Sequence, residues 1–382
     1  MTDTTRQVKL FVSGRLCLFG EHSDWAAERG NHNGYCLVVG TDQGFSAVAG
    51  RSDEFRVDTP VPGRLGRPTR RRRQMTCPAT AEMLREAAQD QREYFRYCAG
   101  VAYYIVERHG AGGIDLRITS MDLPLRKGVS SSAAICILVA RAFNETYRMG
   151  LSTRELMELA YEGEKLTGSQ CGRMDQACIY GKTPVLLTFD QSSGVGIEPM
   201  HPGRPLHLFF VDLAGEKDTV RILRSLNAAY ASAQQLRRAL GPRNEQTVNR
   251  AAEALRSGDA EELGQLMTAA QEDFDRLVAP HCPEQLTSPI LHHLLQWEPL
   301  QMLVYGGKGV GSQGDGVAQF VARSKAARSA AMGLIRERYP QMRCFPLTML
   351  PADSRRDSQA RRWQSSGAAG RYVASPVARR TD

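Results

Sequence analysis

The chain has 382 residues, of which 42% are hydrophobic and 24% are charged, as in an ordinary globular protein with room for two domains. No apolar run approaches the roughly 20 residues that cross a bilayer. The polar start, residues 1–9, lacks the apolar stretch of a secretion signal. We therefore expect a cytoplasmic protein with no membrane partner.

The formal net charge of +8 is concentrated in two segments. The tail, residues 353–382, carries seven arginines against three aspartates, and residues 70–73 are four consecutive arginines after a Gly/Pro-rich stretch. Neither segment is interleaved with aromatic residues, so we expect a disordered tail and a solvated loop, and no nucleic-acid partner. The nine cysteines have no CxxC spacing, which indicates reduced thiols and neither disulfides nor a zinc site.

The first half of the chain is predicted to contain short strands followed by helices. Strand patterns cover residues 9–12, 15–19, 34–39, 44–49 and 114–119, with a turn at 42–44. Helical patterns cover residues 79–108, with a break near Gly100, then 132–147 and 152–166. The helix at 132–147 is apolar on most sides and should be buried. The helix at 152–166 should begin with a capping box of Ser152 and Glu155.

The second half is predicted to alternate between strands and longer helices. Strand patterns cover residues 207–211, 302–305, 317–322 and 343–347, and helical patterns cover 219–240, 245–257, 260–277 and 324–338. The whole is an α+β chain with a domain boundary between residues 180 and 206. We expect an N-terminal domain of residues 1–190, a C-terminal domain of 191–352 and the tail of 353–382.

A first polar cluster follows the strand pattern at residues 15–19. Glu21, His22 and Asp24 come directly after this apolar run and Gly20. Such acceptors and switchable donors at short range suit a ligand rich in hydroxyl groups. Each residue alone would be an ordinary surface turn residue, but the three together favour a binding site.

A second segment leads into the buried helix at residues 132–147. It reads Arg126, Lys127, Gly128 and Val129, and then three consecutive serines, Ser130–Ser132, before Ala133. Unpaired N–H groups at a helix N-terminus bind phosphate, and hydroxyl and cationic side chains add to this. The simpler interpretation is a serine-rich helix cap, although three serines are more than a cap needs.

Two further segments complete the set. Residues 306–316 contain the pattern G-x-G-x-x-G of dinucleotide-binding folds. We reject that interpretation, because here the pattern lies late in the chain and is followed by a strand. We expect a strand-to-strand loop whose glycines permit close approach to another segment. Glu164 lies at the end of a helix, and Gly172 and Asp175 lie in a turn after it. An aspartate in such a place is usually a helix cap.

In this order and spacing the four segments resemble the motifs of GHMP kinases of the galactokinase branch. The first is similar to G-R-x-N-L-I-G-E-H-x-D-Y, the second to P-x-x-x-G-L-S-S-S-A, and residues 172–176 to G-x-M-D-Q. The resemblance implies the two-domain GHMP kinase fold, with a ribosomal S5-like N-terminal domain and a ferredoxin-like C-terminal domain. It also implies a cleft that uses ATP and Mg²⁺.

The resemblance assigns a role to each matching residue. Asp175 and Arg15 match the catalytic pair, and Ser132 and Glu164 match the magnesium ligands. The substrate would be held by residues that match Glu21, His22, Asp24 and Gly172. The ATP phosphates would be held by residues that match Arg126, Lys127, Gly128, Val129, Ser130, Ser131, Ser132 and Ala133.

The sequence departs from the galactokinase pattern at several positions. Cys17 and Trp25 replace the usual Asn and Tyr. Residues 306–316 resemble the glycine-rich motif that closes the family's series, but Lys308 stands among their glycines. Residues 212–217 do not resemble the expected sugar-contacting stretch. We therefore expect a kinase that phosphorylates a hydroxyl of a sugar or sugar-like molecule, with the anomeric hydroxyl favoured. The alternatives are a GHMP kinase for a cyclitol or non-sugar alcohol, and a non-catalytic sugar sensor.

Overall fold

The computed structural model describes residues 7–30, 32–61, 71–124, 127–190 and 194–352. Its first sheet consists of β1 (Val8–Phe19), β2 (Gly34–Ser52), β3 (Glu54–Pro60), β4 (Arg72–Pro78), β5 (Gly113–Met121), β6 (Val185–Asp190) and β7 (Gly194–Pro199). The strand order is β4-β3-β5-β2-β6-β7, and β1 pairs along the length of β2. In the described residues β3 and β5 pair in parallel, and the other neighbours are antiparallel.

The long strands β1 and β2 replace the four short strands expected in this region. The predicted turn at residues 42–44 is wrong, because β2 continues through it. Ser13 pairs with Gly44 whereas Arg15 pairs with Gly40, so β2 carries extra residues that form a bulge. A bulge bends a strand without reversing it. Arg15 lies directly after this irregularity and is buried.

Helices cover the first sheet. They are α1 (Ser23–Arg29), α2 (Ala81–Gln89), α3 (Arg96–His109), α4 (Ser131–Tyr147) and α5 (Thr153–Leu166), and a 3-10 helix spans Asp175–Tyr180. The predicted buried helix is confirmed as α4, which packs on β1 and β2 and contacts α3 and α5. The predicted capping box of Ser152 and Glu155 is also confirmed at the start of α5.

The expected break at Gly100 is wrong, since the chain leaves the helix at residues 90–95 and Gly100 lies inside α3. A Cβ at Gly100 would lie 2.2 Å from the carbonyl oxygen of Gly163 in α5. The glycine therefore permits two helices to cross closely, and tertiary packing overrides its helix-breaking tendency.

The second sheet is antiparallel, with the order β11-β8-β10-β9, and consists of β8 (Leu206–Asp212), β9 (Val304–Gly309), β10 (Val317–Ala322) and β11 (Arg343–Met349). Its helices are α6 (Thr219–Tyr230), α7 (Gln234–Arg238), α8 (Asn244–Ser257), α9 (Ala260–Leu277), α10 (Pro283–Leu286), α11 (Pro289–Leu295), α12 (Glu298–Gln301) and α13 (Lys325–Arg338). The α+β class is confirmed. The single helix expected at residues 219–240 is wrong, because the chain bends between α6 and α7 and again at a widened turn, Ala239–Arg243.

The chain passes from one sheet to the other between Pro199 and Leu206. Strand β7 still pairs with β6 of the first sheet. One buried apolar cluster extends from the first sheet into the second, so the two sheets share a core. No helix within the described ranges has both the length and the hydrophobicity needed to cross a membrane.

The solvated loop expected at residues 70–73 is wrong for Arg72 and Arg73, which open strand β4. Arg72 Nε donates to Asp58 Oδ1 at 2.7 Å, and the Arg73 guanidinium lies over the ring of Tyr94. Arg70 and the tail of residues 353–382 lie outside the described residues.

Candidate active site

Strained backbone marks the place where the candidate motifs converge. Six non-glycine residues in the described ranges have a positive φ, and four of them lie in or beside the candidate segments: His22, Ser130, Ala214 and Gln313. A left-handed conformation is costly for such residues, and it persists where the surroundings hold it, often at functional sites. The loops that carry them also touch, since Lys217 Nζ donates to the carbonyl oxygen of Gln313 at 2.8 Å.

Arg15 and Asp175, 160 residues apart in sequence, form a close ion pair. Arg15 Nε donates to Asp175 Oδ1 at 3.1 Å, and the Arg15 side chain also donates to the carbonyl oxygen of Gly128 at 3.1 Å. Burial lowers the pKa of Arg15, but the charge and hydrogen bond of Asp175, together with the interactions with Cys17 and Glu21, outweigh it, so the pKa stays above its usual value. The side chain of Asp175 is 23% exposed, so this carboxylate can be reached from solvent.

The predicted phosphate loop lies directly against this pair. Gly128 has φ +87° and Ser130 has φ +57°, and Ser130 caps α4 without a side-chain hydrogen bond. The Ser130 hydroxyl oxygen is buried and has no partner among the described residues. A helix N-terminus with a free hydroxyl can bind an anion.

The remaining phosphate-loop residues have mixed surroundings. Val129 is buried, and its carbonyl oxygen accepts from the Arg15 backbone N–H. Ser131, Ser132 and Ala133 form the first turn of α4. Lys127 donates to the carbonyl oxygen of Gly215, so its ammonium group is directed toward the end of β8. Arg126 lies outside the described residues.

Glu164 and Ser132, the predicted metal ligands, are brought together behind Asp175. Glu164 is buried and accepts from Gln176 Nε2 at 3.2 Å. Burial and the negative charge of Asp175 raise the pKa of Glu164 to about 7, although hydrogen bonds with Ser132 and Gln176 act to lower it. A carboxylate and a hydroxyl are hard oxygen ligands, and a buried carboxylate beside another negative charge would be stabilised by a cation. The pair therefore fits Mg²⁺.

The structure does not gather a larger metal site. Within the described ranges no group of three or more His, Cys, Asp or Glu side chains could hold a metal ion. A metal at Ser132 and Glu164 would complete its coordination with phosphate oxygens and water, as Mg²⁺ commonly does.

Glu21 makes a buried ion pair with Lys308, 287 residues away. Lys308 also donates to the carbonyl oxygen of Gly309 at 2.9 Å, and its side chain is only 2% exposed. The resemblance assigned Glu21 to the substrate. In this structure its charge is already neutralised within the protein, and the sequence patterns gave no sign of that partner.

His22 and Asp24 are buried at the start of α1. His22 Nδ1 accepts from Trp25 Nε1 at 3.1 Å, while Nε2 has no hydrogen bond of normal geometry within the described residues. Burial and the positive charge of Lys217 lower the pKa of His22 to about 3, so the ring is neutral. Asp24 Oδ2 accepts from the backbone N–H of Met174 at 3.2 Å.

Asp24 supports the turn that leads to Asp175. A Cβ at Gly172 would lie 1.9 Å from Asp24 Oδ2, so glycine is needed there for the carboxylate to approach the backbone. Burial and the negative charge of Asp175 raise the pKa of Asp24 to about 6. Asp24 and Gly172 therefore act on the position of Asp175 in addition to any contact with substrate.

The glycine-rich segment joins β9 to β10 in an antiparallel pair, which confirms a strand-to-strand loop in place of a dinucleotide motif. A Cβ at Gly311 would lie 2.6 Å from the carbonyl oxygen of Gly128, and Gly311 has φ +67°. The expected close approach is confirmed, since this loop closes over the phosphate loop.

Lys217 is the residue that the sequence patterns missed. It follows β8 and enters the junction between the two loops, where a Cβ at Gly128 would lie 2.7 Å from its Nζ. Burial and the positive charges of Arg15 and Lys127 lower the pKa of Lys217 to about 7. Its position between a buried strand and a helix was the available signal, because loops that follow buried strands often carry functional groups.

A cavity of about 60 Å³ lies beside Glu21. Its walls include Lys308, Gln313, Phe274 and Arg243. Neither Arg15 nor Asp175 lines it, so Glu21 faces a space separate from the ion pair that should carry out the chemistry.

Comparison with protein families and curated proteins identifies relatives of this chain. Residues 96–182 match the GHMP kinases N terminal domain. The galactokinase of Thermococcus kodakarensis is 25% identical over 304 residues, which cover 72% of this chain and 80% of that protein. The galactokinase of Glaesserella parasuis is 25% identical over 178 residues, 44% of this chain and 40% of that protein.

Solved structures show the same fold. Lactococcus lactis galactokinase complexed with galactose has a TM-score of 0.67 at 17% identity, covering 92% of this chain and 95% of that one. Methanococcus jannaschii mevalonate kinase has a TM-score of 0.68 at 16% identity, covering 91% and 99%. The predicted resemblance to GHMP kinases with galactokinase-like motifs is confirmed, and the relatives support a small-molecule kinase.

Proposed function

We propose that this chain, which carries the N-terminal domain of the GHMP kinases and is similar to galactokinases, is an ATP-dependent kinase of a sugar or sugar-like alcohol. The phosphate would pass to a hydroxyl of that molecule, with the anomeric hydroxyl as the expected acceptor. The observation that carries the proposal is the Arg15–Asp175 ion pair, which lies against Gly128 of the phosphate loop.

Phosphoryl transfer requires mainly positioning and neutralisation of charge. Asp175 is the partly exposed carboxylate and would hold the acceptor hydroxyl and receive its proton. Arg15 fixes the orientation of that carboxylate and places a permanent positive charge beside the transferred group. The N-terminus of α4, with the Ser130 hydroxyl, would hold phosphate oxygens.

Glu164 and Ser132 would hold Mg²⁺, which when bound supplies positive charge to the phosphate oxygens. The buried carboxylate of Glu164 supports this assignment of the metal. Its raised pKa indicates that the described neighbours do not compensate for the burial of its negative charge. Gln176 orients Glu164 through its hydrogen bond at 3.2 Å.

The substrate-binding residues support a sugar-like acceptor while arguing against galactose itself. Glu21, His22, Asp24 and Gly172 match the galactokinase pattern, but Glu21 is already paired with Lys308. A carboxylate engaged in a buried ion pair is a poorer acceptor for a sugar hydroxyl. This observation argues against galactose as the acceptor and leaves another sugar as the proposed substrate, with a GHMP kinase for a cyclitol or another alcohol as the second candidate. A non-catalytic sensor would have no need of the Arg15–Asp175 pair beside a phosphate loop.

A coupled assay of ADP release over a panel of sugars, uronic acids, cyclitols and non-sugar alcohols tests the proposal. Phosphorus NMR of the product then identifies the phosphorylated carbon. We expect release of ADP that depends on a polyhydroxylated ring, and a phosphate on its anomeric carbon. ADP release with a non-sugar alcohol only would favour the alternative kinase, and nucleotide binding without turnover on any acceptor would favour the sensor.

A further inference from the structure

Lys217 is a half-buried lysine with no carboxylate partner among the described residues. No Asp or Glu oxygen of the described residues lies within 4.0 Å of its ammonium group, and the acceptor that the structure gives it is the carbonyl oxygen of Gln313 at 2.8 Å. Buried cations nearby are matched, since Arg15 pairs with Asp175 and Lys308 with Glu21. An ammonium group that is partly withdrawn from water and has no counter-ion is destabilised, so an anion at this position would be stabilised.

Glycines leave room for this side chain between the two loops. A Cβ at Gly128 would lie 2.7 Å from Lys217 Nζ, and a Cβ at Gly316 would lie 2.8 Å from its Cε. Gly128 belongs to the phosphate loop and Gly316 to the glycine-rich loop that closes over it. The ammonium group therefore lies at the junction of both loops, where a bound phosphate chain would be enclosed.

A second observation at the same junction also points to an anion. The Ser130 hydroxyl oxygen is buried without a partner among the described residues, and Ser130 is only 7% exposed at the N-terminus of the 17-residue helix α4. The unpaired N–H groups of such a helix carry partial positive charge. An oxyanion with several acceptor atoms would satisfy the hydroxyl donor, the helix N-terminus and the ammonium group together.

We propose that Lys217 binds the terminal phosphate of the nucleoside triphosphate and neutralises its charge during transfer. This inference rests on the proposed kinase function and adds to it a cation from the segment after β8. The group that Lys217 would bind is an anionic oxygen, and an acidic acceptor carries such an oxygen as well as the nucleotide. The contact with Gly128 of the phosphate loop favours the nucleotide.

The same arrangement couples nucleotide binding to protonation. Groups that interact electrostatically with Lys217 are Arg15 and Lys127, which disfavour its charge, and Asp175 and Glu21, which favour it. His22 also interacts with Lys217 and is neutral. Because the pKa of Lys217 is lowered to about 7, a large part of the free protein carries a neutral amine at pH 8. A phosphate beside the amine favours the ammonium form, so binding should take up a proton.

The test compares Lys217→Met with wild type by titration calorimetry of MgATP and MgADP at pH 8 without acceptor, in two buffers of different ionisation enthalpy. The matched control is Lys182→Met, an exposed lysine whose side chain is 63% accessible. We expect Lys217→Met to weaken ATP binding by about 10- to 100-fold and ADP binding much less, as for a lost charge-assisted hydrogen bond. Wild type should take up more than about half a proton per ATP, and the variant should not.

Each outcome has a clear meaning. Equal ATP affinity in wild type and Lys217→Met, with unchanged proton uptake, overturns the inference and leaves the kinase function standing. Unchanged ATP affinity together with a raised KM for the acceptor in the ADP-release assay assigns the anion to the acceptor and also overturns it. Absence of nucleotide binding by wild type overturns both. If Lys217→Met does not fold, two other measurements decide. Ser130→Ala should weaken ATP binding more than ADP binding, and wild type should take up a proton on ATP binding; absence of both effects overturns the proposal.

Discussion

Replacing Gly172 by alanine tests whether Asp24 supports the turn before Asp175. The new Cβ would lie 1.9 Å from Asp24 Oδ2, so the two must separate by about 1.5 Å to reach an ordinary contact of 3.4 Å. This separation would break the hydrogen bond of 3.2 Å from Met174 N–H to Asp24. Overpacking costs about 1–3 kcal/mol and a lost hydrogen bond to a carboxylate about 1.5–3 kcal/mol, so we expect a loss of about 2.5–6 kcal/mol in unfolding free energy.

That loss leaves a folded protein if the total stability lies in the middle or upper part of the usual range of about 5–15 kcal/mol. Because the turn carries Asp175, we also expect turnover to fall about 10²-fold, the effect of a displacement near 1 Å at a reacting group. Urea unfolding gives the first quantity and the ADP-release assay the second. Gly333→Ala is the control, since Gly333 lies in α13, where an added Cβ would meet nothing within 4 Å, and the substitution should not be destabilising.

Adding Asp24→Ala to Gly172→Ala separates the effect on stability from the effect on turnover. The double variant should regain the stability lost to the clash but not the turnover, because the support from the carboxylate is gone. If Gly172→Ala has the unfolding free energy and turnover of wild type, Asp24 does not constrain this turn and the reasoning is wrong.

Two further predictions concern buried carboxylates. The pKa of Glu164 is raised from 4.5 to about 7 on folding, so its protonated form contributes stability that is full below pH 4.5 and is lost as the pH rises through 7. In metal-free urea unfolding, the stability of wild type relative to Glu164→Gln should therefore fall by on the order of 3 kcal/mol from pH 4.5 to 8, and a flat difference would contradict the raised pKa. Lys308→Met should lower the free energy of unfolding by about 3–5 kcal/mol, because it leaves Glu21 buried without its partner. Adding Glu21→Gln should restore most of this loss. A double variant as unstable as Lys308→Met would show that Lys308 stabilises the fold by other means.

Much of the fold could be predicted because its signals are local. The apolar surface of α4, the capping box of α5, the alternation of β5 and the apolar run of β8 depend on residues within one element. Strands β3, β4, β6 and β7 were missed. Strand β4 opens with arginines, which resemble a loop, and its pairing with β3 decides its structure.

The errors arise where tertiary contacts override local preference. The Asp42–Gly44 stretch has turn-forming residues, but pairing with β1 keeps it extended as a bulge. Gly100 suggests a helix break until the close crossing with Gly163 is known. Neither contact can be read from the neighbouring sequence.

In the candidate site too, local motifs could be predicted from the sequence and contacts between distant segments could not. The order of motifs pointed to Arg15, Asp175, Ser132 and Glu164, and the structure brings these four together, although their roles remain predictions. The Glu21–Lys308 pair and the Lys217–Gln313 hydrogen bond join segments that are far apart in the sequence. Such pairs have no local pattern, so only the folded chain reveals them.

Asp175→Asn is the most direct test of the kinase account. The measurement is turnover on the best acceptor from the ADP-release screen, together with the MgATP affinity of the same preparation. We predict unchanged nucleotide affinity and a turnover lower by about 10²–10⁴-fold, the usual contribution of a positioned acid or base. Turnover within a few-fold of wild type would contradict the assignment of Asp175 as the group that receives the acceptor's proton, and with it the central claim for this site.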